Sequence, residues 1–382
     1  MRRHQLLQSQ LSCGLQEAYN VPRISGRAST SSVHDVRYFA TLLRGVNFVN
    51  RATITVTERG LTITVEEART LLGTAFIFCD IFDEYAYHSP NPPVATSQGS
   101  EDADIVDNVA FEVPLNTLIE CLNIFGTAGP ASTTVSSSSK YKKWRKAGED
   151  SDHDGDDEHG DRGRSVAGRG IDSYFTGGSE KRTSMRMTYA GEGHPLTLLL
   201  AEDATGPTTT CEITTFDPEP HLELDFDNSR MVLKIILKSS WLRDALSELD
   251  PSFDKLTFIG NPPQEPGASA SRQKQKFREG SKPMLRIQAA GTFGSTEMDY
   301  PNDRDVLETF ECTRSVRFSY RFAHISRTLR ALQNSTKTSL RIDEEGLLSL
   351  QFLMPSPKPK GASGQSSDAF IDFRCLALDE EL

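Results

Sequence analysis

The sequence predicts an α+β fold built from a repeated helix-and-meander unit, and three observations predict it. Residues 35–84 pass from helical to strand periodicity within one short stretch. A similar succession recurs further along the chain, and recurrence of one supersecondary unit is a signature of internal duplication. No apolar run approaches the ~18 residues that a membrane span needs.

The first unit is the clearest. Val36, Phe39, Leu42, Leu43 and Val46 recur at helical spacing, with Arg37, Thr41 and Arg44 on another face. Ala52, Ile54 and Val56 then alternate with threonines, Glu58-Arg59-Gly60 makes a turn, and Leu61, Ile63 and Val65 alternate again. Residues 75–82 read as a third, more apolar strand. Such a unit packs as two layers, the helix across one face of the sheet. Residues 111–126 give a strand end and a second helix, with Leu115, Leu118, Ile119, Leu122 and Phe125 on one face. Residues 185–216 resume strand patterning, and the Pro/Glu-rich 217–221 reads as a connector. A strand over 226–237 leads into a third helix over 241–249, with Ser239 or Ser240 as its expected cap. Strands follow at 256–259, 285–289 and 298–300. A fourth helix is expected over 321–332, then a strand pair turning at Glu345-Gly346 and a closing strand over 370–378.

Polar segments interrupt this pattern. Residues 1–32 read as a disordered extension or as sequence foreign to the domain, and their Arg-containing, acid-poor character also fits a transit peptide. They contain no apolar h-region, so no secretory signal is predicted. Residues 127–183 carry a serine run, the basic cluster Lys140, Lys142, Lys143, Arg145 and Lys146, and an acidic run over 149–158. This segment has too little apolar surface to offset its ordering entropy and is expected to be disordered. The basic cluster reads equally as a nuclear localisation signal or as a solvated charge block. Further insertions fall at 261–282 and 355–368. The expected domain plan is therefore 33–216, a connector at 217–224, and 225–382.

The chain has 382 residues and a formal net charge of −11. Bulk charge repels nucleic acid, but affinity follows the field at the contact. Six scattered cysteines form no Cys-x-x-Cys pair and no zinc spacing, so buried free thiols in a reducing compartment are expected. No phosphate-binding glycine loop, nucleophile elbow or His-Glu-x-x-His motif is present. No cofactor or metal is therefore predicted. Asp225 and Asp227 are spaced to share one strand face, the only carboxylate pair resembling a nuclease site. The favoured reading leaves both exposed while Leu224 and Phe226 point inward.

The order of elements, together with specific stretches, resembles the Rad-one subunit family of the nine-one-one DNA-damage checkpoint clamp. The stretches include Ala75-Phe76-Ile77, Ile81-Phe82-Asp83-Glu84-Tyr85, residues 118–126 and Gly193-His194-Pro195-Leu196. They continue with Leu224-Asp225-Phe226-Asp227, Lys234-Ile235-Ile236-Leu237, Leu242-Arg243, residues 246–250, Met298-Asp299-Tyr300-Pro301 and residues 346–351. Residues 1–32 depart from the family's first strand, which only 28–33 is placed to supply.

The resemblance implies a DNA-clamp fold: two similar domains, each with two βαβββ units, and helices lining the inner face of a ring. It implies a nuclear heterotrimer with Hus-one-like and Rad-nine-like subunits. An ATP-dependent loader places that ring around double-stranded DNA, held without sequence preference and without a membrane. On that mapping Arg37, Arg44, Lys238, Arg243, Arg321 and Arg327 face DNA. Thr210, Cys211, Glu212 and Ile213 form one subunit-interface strand, and Thr296, Glu297, Met298 and Asp299 the other. Phe216, Asp217, Pro218 and Glu219 line a connector for partner peptides. The resemblance implies a non-enzymatic protein. Two alternatives stand beside it, a 3'-5' exonuclease using metal-bound carboxylates and a homotrimeric replicative clamp.

Overall fold

The computed structural model describes residues 29–88, 108–129, 182–202, 206–263, 283–300, 303–357 and 368–379. The basic cluster, the acidic run and the disorder expected over most of 127–183 lie outside these residues. The described elements belong to one compact unit.

The chain repeats one succession of elements four times. First come β1 (Ser29–Val33), α1 (Val36–Val46), β2 (Arg51–Thr57), β3 (Gly60–Glu67) and β4 (Leu71–Phe78), trailed by a short β5 (Glu84–Ala86). Next are β6 (Val109–Pro114), α2 (Leu115–Leu122), β7 (Ser184–Tyr189), β8 (Leu196–Ala201) and β9 (Thr208–Ile213). The third set is β10 (Met231–Lys238), α3 (Ser239–Ser247), β11 (Lys255–Gly260), β12 (Leu285–Gly291) and β13 (Gly294–Tyr300), trailed by β14 (Leu307–Cys312). The last is β15 (Val316–Arg321), α4 (Phe322–Arg327), α5 (Leu329–Asn334), β16 (Lys337–Asp343), β17 (Leu348–Met354) and β18 (Ala369–Cys375).

Sheet pairing repeats with the elements. The order β5-β1-β7-β8-β9 is matched by β14-β10-β16-β17-β18, and β4-β3-β2-β6 by β13-β12-β11-β15. One extra pairing, β18 to β4, fuses two of these groups into a nine-stranded sheet. The helices cover the sheets in one row: α2 packs on α1, α1 on α5, and α5 on α3.

Local chemistry explains these elements. Asp35 caps α1, accepting from the Arg37 N–H at 3.0 Å. Val36, Phe39, Leu42, Leu43 and Val46 are all buried, the face expected from periodicity. Each such side chain contributes roughly 1.5–3 kcal/mol on full burial. Tyr38, on the same helix, donates its hydroxyl to the Met354 carbonyl (2.7 Å) and accepts from the Ala369 N–H (3.1 Å). It thereby ties together the two strand ends that flank the 355–368 insertion. At the β16–β17 turn Gly346 has φ +86°, and a Cβ there would lie 2.6 Å from the Phe318 ring.

Several expected boundaries move. β1 begins at Ser29, within the stretch assigned to the extension. The third strand is Leu71–Phe78 rather than 75–82, because Ala68 and Arg69 turn the chain with φ of 52° and 54°. A 3-10 turn takes Cys79–Ile81. The fourth helix is two helices. The Thr328 N–H bonds the Ile325 carbonyl at 3.0 Å and its hydroxyl the same carbonyl at 2.7 Å, which breaks the α ladder there. Lys238, not a serine, occupies the cap position of α3, and no side chain caps the helix there. Ser239 is instead buried and bonded to Thr338 Oγ1 (2.9 Å) and Ser335 Oγ (2.8 Å). Of the five described cysteines, all free, Cys375 is buried and four are half-buried. Burial pushes the Cys375 thiol up to about 12.

Candidate nucleic-acid interface and subunit edges

The helix row carries most of the expected basic residues, but their surroundings differ. Arg37 grips its own helix cap, with Nη2 2.7 Å from Asp35 Oδ2. Burial raises the Asp35 carboxyl, and the Arg37 hydrogen bonds and charge outweigh it, leaving the group below its ordinary value. Arg44 is half-buried, donates to the Ala128 carbonyl, and is lowered by that burial. Arg243 pairs with its neighbour Asp244 at 2.9 Å. Arg327 makes a two-pronged pair with Glu67, at 3.0 and 3.2 Å. Lys238 is exposed, at the start of α3. Arg321 departs from the row and opens into a cleft beside the connector. His324, on α4, is buried. Its imidazole is held below the ordinary value by desolvation, with Arg321 and Arg327 adding to the effect and Glu67 opposing it. Arg330, on α5, donates to the Asn47 carbonyl at 2.9 Å.

The connector runs over residues 214–227 and has two halves. In the first, Phe216 exchanges two backbone hydrogen bonds with Glu112 of β6, at 2.8 and 2.9 Å. Glu112 is buried, accepts from the Glu219 N–H at 2.8 Å and pairs with Arg51, which also holds Glu219 at 2.9 Å. Asp217 and Pro218 are exposed between them. Glu66 then accepts from the Leu222 N–H at 2.8 Å. The second half borders a cleft of about 830 Å³, which residues 376–379 also line. Arg230, Arg317, Arg321 and His324 reach it, as do Asp225, Asp227 and Glu345. The cleft thus lies beside 223–227, beyond the Phe216–Glu219 stretch that the sequence singled out. Arg317 and the tail were missed, because neither is near the connector in sequence. The apolar Leu376 and Leu378, continuing past the closing strand, were the available signal.

Asp225 and Asp227 do not share a strand face, since β10 starts only at Met231. Asp227 caps a 3-10 turn, accepting from the Ser229 hydroxyl and N–H at 2.7 Å each. Those two bonds hold its carboxyl below the ordinary value. Asp225 is 92% exposed. Leu224 points inward as expected, while Phe226 is half-buried under the Arg341 guanidinium, 5.2 Å from its ring centroid. Among the described residues no three His, Cys, Asp or Glu side chains gather as a metal site requires.

The two expected interface strands are sheet edges. Thr210, Cys211, Glu212 and Ile213 lie on β9, the last strand of its sheet, and Thr296, Glu297, Met298 and Asp299 on β13, the last strand of another.

The family described as "Repair protein Rad1/Rec1/Rad17" matches residues 28–354. The chain belongs to this family. It is 29% identical over 364 residues to "Cell cycle checkpoint protein RAD1" of Mus musculus, covering 95% of this chain and 97% of that one. It is 30% identical to "DNA repair exonuclease REC1" of Mycosarcoma maydis, covering 92% and 96%. It is 29% identical to "DNA damage checkpoint control protein rad1" of Schizosaccharomyces pombe, covering 90% and 84%. Membership places the chain among DNA-damage checkpoint and DNA repair proteins of the cell cycle.

Proposed function

We propose that this chain is one subunit of a heterotrimeric ring that encircles duplex DNA and serves as a platform for checkpoint and repair factors. One observation carries the reading. β4 and β18 pair inside the chain, while their counterparts in the repeat, β13 and β9, both end sheets. Unpaired edges are templates for another strand. Repeating the internal β4–β18 junction between subunits, β13 of one against a β9-like strand of the next, generates a head-to-tail ring. On this reading the chain divides at the connector into two clamp domains, and the helix row lines the hole.

The hold on DNA is topological. Basic side chains along the row supply a screened attraction to phosphates without reading bases. The partners are Hus-one-like and Rad-nine-like subunits, and an ATP-dependent loader opens the ring in the nucleus. The cleft beside the connector, lined by apolar Leu376 and Leu378 and by charged side chains, suits a partner peptide.

Retention on DNA tests the reading. The assembled ring, once loaded, stays on nicked circular DNA and is lost when that DNA is linearised. Equal retention on both forms rejects encirclement. The relative named an exonuclease supports a second reading, in which the ring also degrades DNA from its 3' ends, though Asp225 and Asp227 do not fit a metal site. Degradation of 3'-labelled DNA by the pure ring with Mg²⁺ would establish it.

A further inference from the structure

The internal junction also predicts which partner chemistry the β13 edge takes. Register transfers through the repeat. The Val36 and Ser239 N–H groups bond the Thr183 and Thr336 carbonyls at 3.0 Å each, so β7 aligns with β16. The pairings through β8 and β17 then align Ile213 of β9 with Cys375 of β18. Likewise α2 and α4 begin directly after Pro114 and Arg321, and the β6–β2–β3–β4 and β15–β11–β12–β13 pairings align Thr74 with Glu297. At the real junction Asp372 faces Thr74, Arg374 faces Leu72 and Phe370 faces Phe76. Arg374 there neutralises Asp372 at 3.1 Å, and Phe370 meets Phe78 edge-on with centroids 6.2 Å apart.

If two copies of this chain met in that register, Thr208 would face Asp299, Thr210 would face Glu297 and Glu212 would face Ser295. Residues directly opposite point to the same sheet face. Glu212, Glu297 and Asp299 would then line one row, with no cation arriving from β9. Arg286 is already committed, 2.8 Å from Glu297 and 2.6 Å from Asp299. Glu212 and Glu297 would be diagonal neighbours, within reach of each other and with no cation from β9 to offset them. Just before the strand, Phe293 is 91% exposed, at the place where Thr70 accepts the Leu376 N–H in the internal junction.

We infer the chemistry of the strand that β13 takes in the proposed ring. That strand presents lysine or arginine beside Glu297 and Asp299 and an apolar contact for Phe293, and a second copy of this chain is rejected by charge. The inference rests on the ring reading and specifies one of its two interfaces.

The test uses the full chain with each of the two clamp partner subunits, measured pairwise by calorimetry. E297K/D299K weakens one partner by about tenfold or more and leaves the other unchanged. The neutral E297Q/D299N weakens the same partner less, and wild-type affinity for that partner falls more steeply with salt. The unchanged second interface shows that the variant is folded. If the reversal removes both partners, E297Q/D299N decides: selective weakening supports the inference, and no weakening overturns it. Unaltered or tightened binding in E297K/D299K overturns it while the ring reading stands. A wild-type chain that binds neither partner overturns both, and homotrimers at micromolar concentration overturn the charge argument.

Discussion

Arg327 on α4 and Glu67 at the end of β3, 260 residues apart in sequence, form a two-pronged ion pair at 3.0 and 3.2 Å. The pair ties the last repeat to the first, so one of the residues assigned to DNA is already engaged. Both side chains are partly exposed, which limits the pair to the range of surface ion pairs. A double-mutant cycle of R327A and E67A is expected to give a coupling of about 0.5–1 kcal/mol in unfolding free energy. A coupling near zero would show that Arg327 is free for phosphate.

Tyr38 makes a stronger cross-chain tie. Its hydroxyl serves the Met354 carbonyl and the Ala369 N–H at once, and burial pushes the phenol up to about 12. Tyr38→Phe keeps the ring and strips both backbone groups of their partner. The expected loss is about 1–3 kcal/mol, read from denaturant unfolding. Proteolysis within 355–368 should quicken as well.

Buried His324 predicts a pH dependence. Its folded value lies below the ordinary one of about 6.5 because desolvation disfavours the imidazolium. The unfolded chain therefore binds the proton more readily. The contribution is complete above about pH 6.5 and is lost as pH falls through the depressed folded value. Unfolding free energy measured between about pH 7 and 5 should fall, and H324F should flatten that slope. An unchanged slope would contradict the assignment.

The basic row separates by what each cation already holds: Lys238 is exposed, Arg37 pairs with Asp35 on its own helix cap, and Arg44 is half-buried against the Ala128 carbonyl. Lys238→Glu together with Arg37→Glu is expected to reduce DNA retention and flatten its salt dependence by about two phosphate contacts, with assembly intact. Arg44→Glu would instead strand the Ala128 carbonyl and lower stability as well as retention. Equal, purely DNA-linked losses from all three would show that Arg44 also faces phosphate.

Helices were legible in the sequence where an apolar stripe was unbroken, as in Val36–Val46, and strands where threonine alternated with β-branched residues, as in β2. The break at Thr328 was hidden because a helical stripe continues across it, and only the Thr328 hydroxyl and N–H, both bonded to the Ile325 carbonyl, interrupt the ladder. Asp225 and Asp227 looked like a strand pair because spacing of two mimics a strand, yet Asp227 obeys a local cap. The β9 and β13 edges came from the family resemblance, not from periodicity. Arg partners set by distant segments, such as Glu67 for Arg327, and the cleft joining connector to tail depend on long-range pairing that no local pattern encodes.

Molar mass by light scattering, for the chain alone and mixed with Hus-one-like and Rad-nine-like subunits, tests the central claim most directly. The account predicts a one-to-one-to-one complex and no homotrimer from the chain alone. A self-assembled trimer, or a monomer indifferent to both partners, would contradict it.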